Sequence, residues 1–468
     1  MDPNATMAAN YGQIAGALIG SASLFRPTYW SKCMLDVVTE SRIYQPTRDV
    51  NTFLGTTAFV LAKRPTGVLG MLVRNVLTKA VVTGSPAAST TIGPYAAAWS
   101  NNLGDQIYTS ITHRYSSNIL HTHDGEYMQL KQRLVSNEID EDARNALTLG
   151  GLPLTAVGTP EQERASALIG GYAQTLTTTV YTWLDYLWFT RSPDVMWMPE
   201  AYSTEALIEL TYNDVGNLIY TNTGTGTIVT TKPTVQSVVM FVRECYITIP
   251  EKMSRLALHN EEKGVLALFA DLERQRGYRY TGVTLGAARE IRVKLDNIRL
   301  DVKELMFIIR RATGSATLTT DPTVDATYAG DKLQGPVYQA VTGAAVTSVL
   351  ATAPRVDVIV DELVSFRIDA NGARLFDDIP ADINRLWMRK LYHNKSQVRE
   401  YVYFWSPSFL PDDEKMVTSF QNAANLGNLE LVLNVLDAPL NTARQVDVWV
   451  ESYNLIQSRR GDCVKSLK

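Results

Sequence analysis

The sequence predicts an all-β chain made of two tandem sandwiches. Three observations carry this reading. At 468 residues the chain is long enough for two or three domains of about 150 residues each. Its 22 tyrosines, together with abundant threonine and valine, favour strands, because β-branched and aromatic side chains pack well on a pleated surface. The same order of segments also runs twice along the chain, the mark of an internal duplication. Hydrophobic residues at 45% and charged residues at 20% exclude a disordered chain.

The elements follow in order. Residues 1–22 predict an N-terminal arm: Ala15–Gly20 is mildly apolar, too short for a membrane span, and lacks a basic leader. Gly67–Arg74 reads as a buried strand and gives way to the small-residue run Thr83–Thr91. In the second half Glu304–Arg310 gives way to Thr313–Thr320 in the same manner. Each run opens a long loop of a kind that compact domains keep for function. Next come Ile107–Leu120 leading to Asp124-Gly125, and Val356–Ile368 leading to Asn371-Gly372. Asp-Gly and Asn-Gly after an alternating run signal hairpins, since both central residues need positive φ.

Two aromatic strands follow, Trp183–Pro193 and Tyr401–Pro407, then the pair Glu205–Thr211 and Asn428–Asn434. Each half closes with a strand, Val238–Ile247 and Val446–Leu455. Between hairpin and aromatic strand, the first half carries the helical stretches Glu126–Val135 and Thr159–Ile169, and the second carries Asp382–Leu391. Thr159 stands at an N-cap position, with Pro160 first in the helix and acids in the first turn. These readings place a helical excursion near the sixth and seventh strands of each half. The charged stretch Glu251–Lys263 suits a linker. The predicted organisation is an arm (1–22), a first sandwich (23–250), a linker (251–264), a second sandwich (265–458) and a C-terminal tail (459–468). Eight-stranded jelly rolls with long loops and short helical insertions fit the strand number better than seven-stranded modules.

Charge and motifs limit the chemistry. The net charge of −4 and the absence of a basic arm argue against direct nucleic-acid binding. Cys33, Cys245 and Cys463 are an odd set without CxxC spacing, which argues against a disulfide scaffold or a zinc site. The best metal candidate is His121, His123 and Glu126: histidines at i and i+2 share one face of a strand, and a carboxylate follows. The glycines that frame a cupin site are missing, and the second half has Asp369, Asn371 and Arg374 at the matching place. The chain has no phosphate loop and no nucleophile elbow. Asp377, Asp378, Glu261 and Glu262 read as solvated surface, and His259 and His393 as isolated structural residues. Arg191 and Arg374 suit interface salt bridges. Asn4 and Asn394 match the glycosylation tripeptide only by a short pattern. The sequence assigns no catalytic, cofactor-binding or metal residue.

Trp188–Ser192 through Pro199–Ala201 and Glu205–Glu209, Val238–Met253 followed by Leu266–Phe269, Ile291–Asn297 with Val302–Met306, Phe366–Arg374, and the final strand Gln445–Leu455 carry a resemblance. In this order they resemble the double jelly-roll major capsid proteins of nucleocytoplasmic large DNA viruses, from about Thr52 onward. Ser23–Trp30 departs from the family's phenylalanine-rich first strand. The resemblance implies a non-enzymatic homotrimer that forms a pseudo-hexagonal capsomer. Such capsomers tile an icosahedral virion shell assembled in the host cytoplasm, with neighbouring capsomers and minor capsid proteins as partners. The arm would face inward toward minor capsid proteins or an internal viral membrane, and the long loops would point outward. The alternatives are a minor capsid component and a two-domain cupin-like metalloenzyme centred on His121, His123 and Glu126.

Overall fold

The computed structural model describes residues 37–48, 52–63, 67–78, 81–82, 97–99, 102–135, 144, 146–148, 177–187, 199–215, 218–221, 229–231, 233–247, 253, 256–257, 259–262, 264–281, 288–296, 298–311, 363–393, 402–412, 417–436 and 443–465. The expected arm, the runs Thr83–Thr91 and Thr313–Thr320, the stretch Thr159–Ile169, Cys33, Asn4, Arg191 and Asn394 lie outside the described residues.

The first half contributes eight main strands: β1 (Val37–Tyr44), β2 (Thr56–Leu61), β3 (Gly67–Leu77), β4 (Tyr108–Tyr115), β5 (Asn118–His123), β6 (Thr178–Trp183), β7 (Ala206–Tyr212) and β8 (Val235–Ile247). They form two antiparallel four-stranded sheets in the orders β1-β8-β3-β6 and β2-β7-β4-β5. The second half contributes β9 (Val265–Thr281), β10 (Ala288–Lys294), β11 (Asp301–Arg311), β12 (Leu363–Ala370), β13 (Ala373–Arg374), β14 (Tyr403–Trp405), β15 (Leu429–Leu436) and β16 (Ala443–Arg459). Their orders are β9-β16-β11-β14 and β10-β15-β12-β13. Each half therefore has the same arrangement, 1-8-3-6 facing 2-7-4-5, which is the jelly-roll topology. The fold is all-β, with two tandem eight-stranded jelly rolls.

Alternation builds each core. In β3 the residues Met71, Val73 and Leu77 are buried, and they meet Ile208, Leu210 and Tyr212 of β7 and Ile111 of β4 in one apolar cluster. Buried Asn75 ties the two sheets together by accepting hydrogen bonds from Tyr108 Oη (2.8 Å) and Tyr212 Oη (2.9 Å). In the second half Leu305, Phe307 and Ile309 of β11 and Val446, Val448 and Val450 of β16 pack against Phe366, Ile368, Leu431 and Leu433. The period of two places the intervening residues of β11 and β16 on the other face of that sheet.

The register puts the connections at one end of each sandwich. Leu77, at the end of β3, pairs with Val235 at the start of β8 and with Thr178 at the start of β6. The connections leaving β1 and β3 and those entering β6 and β8 thus share an edge, and the second half repeats this. Two short ladders, Ala97–Trp99 with Ile219–Thr221 and Val81–Val82 with Val229–Thr231, join two of these connections in the first half.

Four sequence expectations are corrected. Asp124-Gly125 does not make a hairpin: the β4–β5 turn lies at Ser116, whose φ is +52°. Asp124 instead caps helix α2 (Gly125–Val135), its Oδ1 accepting the Tyr127 N–H at 2.6 Å; α1 (Leu103–Gln106) precedes it. Asn371-Gly372, with φ of +50° and +79°, does form the β12–β13 hairpin. The aromatic strand of the first half ends at Trp183, where the alternation of Thr178–Trp183 stops. The helical excursion lies between the fifth and sixth strands of each half. In the second half it is a π-helical segment, Ile383–Met388, running into α3 (Arg389–His393). Finally, residues 459–468 are not simply a tail, because β17 (Asp462–Lys465) folds back on β16 through Arg460-Gly461, both at positive φ. Among the described residues no helix is long and apolar enough to cross a membrane.

Candidate functional site: the interface between the two sandwiches

Among the described residues, a buried set of charges lies where α2 and β5 of the first sandwich meet the outer face of the sheet β9-β16-β11-β14. The face they cover carries Glu304 and Met306 of β11 and Trp449 and Glu451 of β16. Trp449 and Met306 belong to the same apolar cluster as Tyr127, Met128 and Leu134 of α2. The first sandwich therefore supplies the cover for the second.

Charges inside this contact are paired. Lys131 of α2 is fully buried, with Nζ at 2.5 Å from Glu304 and 3.1 Å from Glu451. His393 of α3 has Nε2 at 2.8 Å from Glu304 and Nδ1 at 2.9 Å from Asp412. Lys303 lies 3.4 Å from Glu451, whose carboxylate also accepts the Tyr127 hydroxyl. Three basic groups thus face three acids, and the set is neutral when His393 is protonated. Burial alone would raise Glu304, but Lys131 and His393 outweigh it and hold the carboxyl down at about 2. Burial likewise opposes charge on Lys131 and His393. Glu304 and Glu451 keep the lysine well above its ordinary value, and Glu304 and Asp412 raise the histidine.

A second group closes the edge of the contact. Arg274 of β9 lies with its guanidinium 4.8 Å from the Trp449 ring centroid, donates to Glu126 at 2.7 Å and pairs with Asp124. The cap of α2 is thereby anchored to the other sandwich. At the far edge Asn118 Nδ2 donates to the Cys463 carbonyl at 3.4 Å, and Ser203 Oγ donates to the Gly461 carbonyl at 2.8 Å.

The structure places the residues singled out in the sequence as follows. His121 and His123 are buried on β5, 5.3 Å apart by ring centroids, with His121 edge-on to Phe269 and His123 edge-on to Tyr127. Glu126 points to Arg274. Among the described residues no group of three His, Cys, Asp or Glu side chains is arranged to hold a metal ion. Asp378 is tied to Arg367 at 3.0 Å, with Arg374 at 3.9 Å, and Asp369 pairs with Arg367 at 3.1 Å. Glu261 and Glu262 are exposed. His259 sits 2.7 Å from Ser458 Oγ. His393, expected as an isolated residue, is part of the buried charge set. Cys245 and Cys463 are buried.

Sequence reading missed Lys131, Glu304, Glu451 and Asp412. Lys131 stands 173 and 320 residues from its two main partners, so no local spacing reveals them. The one available signal was Glu304 beside the apolar run 305–309.

No family model and no curated protein matches the sequence. Solved structures do match, along nearly the whole length. PBCV-1 VP54, a crystal structure fitted into a reconstruction of the virophage Sputnik, is 14% identical at a TM-score of 0.65, covering 93% of this chain and 98% of its own. The Faustovirus major capsid protein is 11% identical at 0.63, covering 98% and 100%. The mavirus major capsid protein is 9% identical at 0.50, covering 91% and 90%. The likeness is one of fold: the chain has the double jelly-roll fold shared with these viral major capsid proteins.

Proposed function

We propose that the chain is a major capsid protein whose homotrimers form pseudo-hexagonal capsomers, the tiles of the icosahedral shell of a large double-stranded DNA virus. One observation carries this reading. Two sandwiches of identical strand order are locked together in one chain by a contact that uses different faces on its two sides. A contact of that kind, repeated between chains, closes into a ring when its rotation divides the full circle, and three chains of two sandwiches supply six similar units. The end-to-end match to viral capsid proteins supports the same reading.

On this proposal the first sandwich spans 23–250 and the second 265–458, joined by 251–264. The capsomer meets neighbouring capsomers and minor capsid proteins, residues 1–22 face inward toward an internal membrane, and the shell assembles in the host cytoplasm. No reaction and no contact with nucleic acid is assigned. The metalloenzyme alternative gains no support from Glu126, which is engaged by Arg274 rather than by the two histidines.

Light scattering on a sizing column, with metal content read from the same peak, tests the proposal. The expected result is a metal-free particle of three 51.9-kDa chains. A monomer with one metal per chain contradicts it.

A further inference from the structure

The internal contact has a vacant counterpart on each side of the chain. On the second sandwich the covered face carries the cross-strand row Arg274, Trp449, Met306 and Phe404, directly paired in register. The first sandwich carries the same row on the equivalent sheet: Ile43 pairs with Phe241, Phe241 with Leu72, and Leu72 with Trp183. Leu72 is the sixth residue of an 11-residue strand, as is Met306, so the rows lie at the same height. Phe241 and Trp449 are each the seventh residue of their strands. The row on the second sandwich is covered by α2, with α3 over Phe404. On the first, Ile43 is 61% exposed and Trp183 39% exposed.

The covering elements correspond as well. Helix α2 has 11 residues and its described side chains are nearly all buried between the two sandwiches. The equivalent excursion, Ile383–Met388 with Arg389–His393, buries one side only. Its other side presents Ile383, Leu386, Trp387 and Leu391, with Trp387 63% exposed. Phe409, 73% exposed, and Leu410 lie on the segment that follows β14. All four side chains of the excursion are exposed on this one segment, and soluble monomers rarely leave such a patch open.

We propose that this stripe docks on the row Ile43, Phe241, Leu72 and Trp183 of a second copy of this chain. The contact between chains thus repeats the one already present within the chain. The inference rests on the capsomer reading and specifies its contact faces. The occupant follows from continuity: the second sandwich receives a helix on this row, and among the described residues the first sandwich has the row without one. The two faces differ, so the contact is heterologous, and each chain carries one of each.

Two variants test it, Trp387→Asp on the helix stripe and Trp183→Asp on the sheet row, with Leu375→Asp as a control at an exposed site off both faces. Buried aromatic anchors dominate interfaces, and placing a carboxylate there weakens the contact on the order of 30-fold or more. Each test variant is expected to elute as a monomer with an unchanged circular dichroism spectrum, while the control stays trimeric. Mixing the two variants restores one intact pair of faces, so a two-chain particle is expected. Trimeric variants from a trimeric wild type overturn this pairing alone. Trimeric variants with a lowered melting temperature show instead that the stripe is covered within the chain, by residues 1–36 for example, and also overturn it. A mixture that stays monomeric overturns it as well. A monomeric wild type overturns the capsomer reading together with it.

Discussion

Replacing Lys131 with methionine is expected to lower the stability of the chain by about 3–5 kcal/mol, the cost of leaving a buried charge without its partner. The ammonium is fully enclosed and lies between Glu304 and Glu451; without it the two buried carboxylates lose the cation they share. Methionine preserves the length and packing of the side chain, so the loss reports charge rather than volume. The double variant Lys131→Met with Glu304→Gln is expected to recover part of the loss, because it removes one of the stranded charges. Urea unfolding of the four proteins in the cycle measures this. A single variant within 1 kcal/mol of wild type contradicts it.

The same network sets a pH profile. His393 has a raised pKa when folded, so its contribution is complete below its ordinary 6.5 and is lost as pH rises through the folded value. Glu304 is depressed, so its contribution is complete above its ordinary 4.5 and is lost as pH falls toward about 2. The interface is therefore firmest between 4.5 and 6.5. In Lys131→Met the acid limb flattens, since the main cation holding Glu304 down is gone.

Trp449→Ala is expected to cost about 3–5 kcal/mol as well, for a different reason. Trp449 is fully buried, and its removal leaves a cavity that rigid sheet neighbours cannot fill. It lies between the sandwiches rather than within one, packed with α2 and with the Arg274 guanidinium over its ring. The loss thus falls on the coupling of the two halves. Calorimetry is expected to show one transition in the wild type and two in the variant. A single transition at the original temperature contradicts the account.

The sequence made the fold legible because duplication and alternation are local signals. Strands such as Gly67–Leu77 and Asp301–Arg311 show their buried faces within a few residues, and their order repeats. Asn371-Gly372 revealed its hairpin because positive φ is a property of the two residues themselves. Asp124-Gly125 misled because the same pair also suits a helix start, and the choice is made by Arg274, 150 residues away. The interface was illegible for the same reason. A buried lysine, two glutamates and a histidine on four separate elements look like ordinary surface residues until the sandwiches meet. The apolar stripe of Ile383, Leu386, Trp387 and Leu391 was visible as a helix, but its open side was not, because a core face and a docking face share one pattern.

The most direct measurement of the central claim is electron microscopy of the purified particle, averaged in projection along its symmetry axis. The expected average shows six lobes of similar size around a centre, alternating between first and second sandwiches, with true three-fold symmetry beneath the hexagonal outline. Averages with two lobes, or with lobes in an open row, would contradict it.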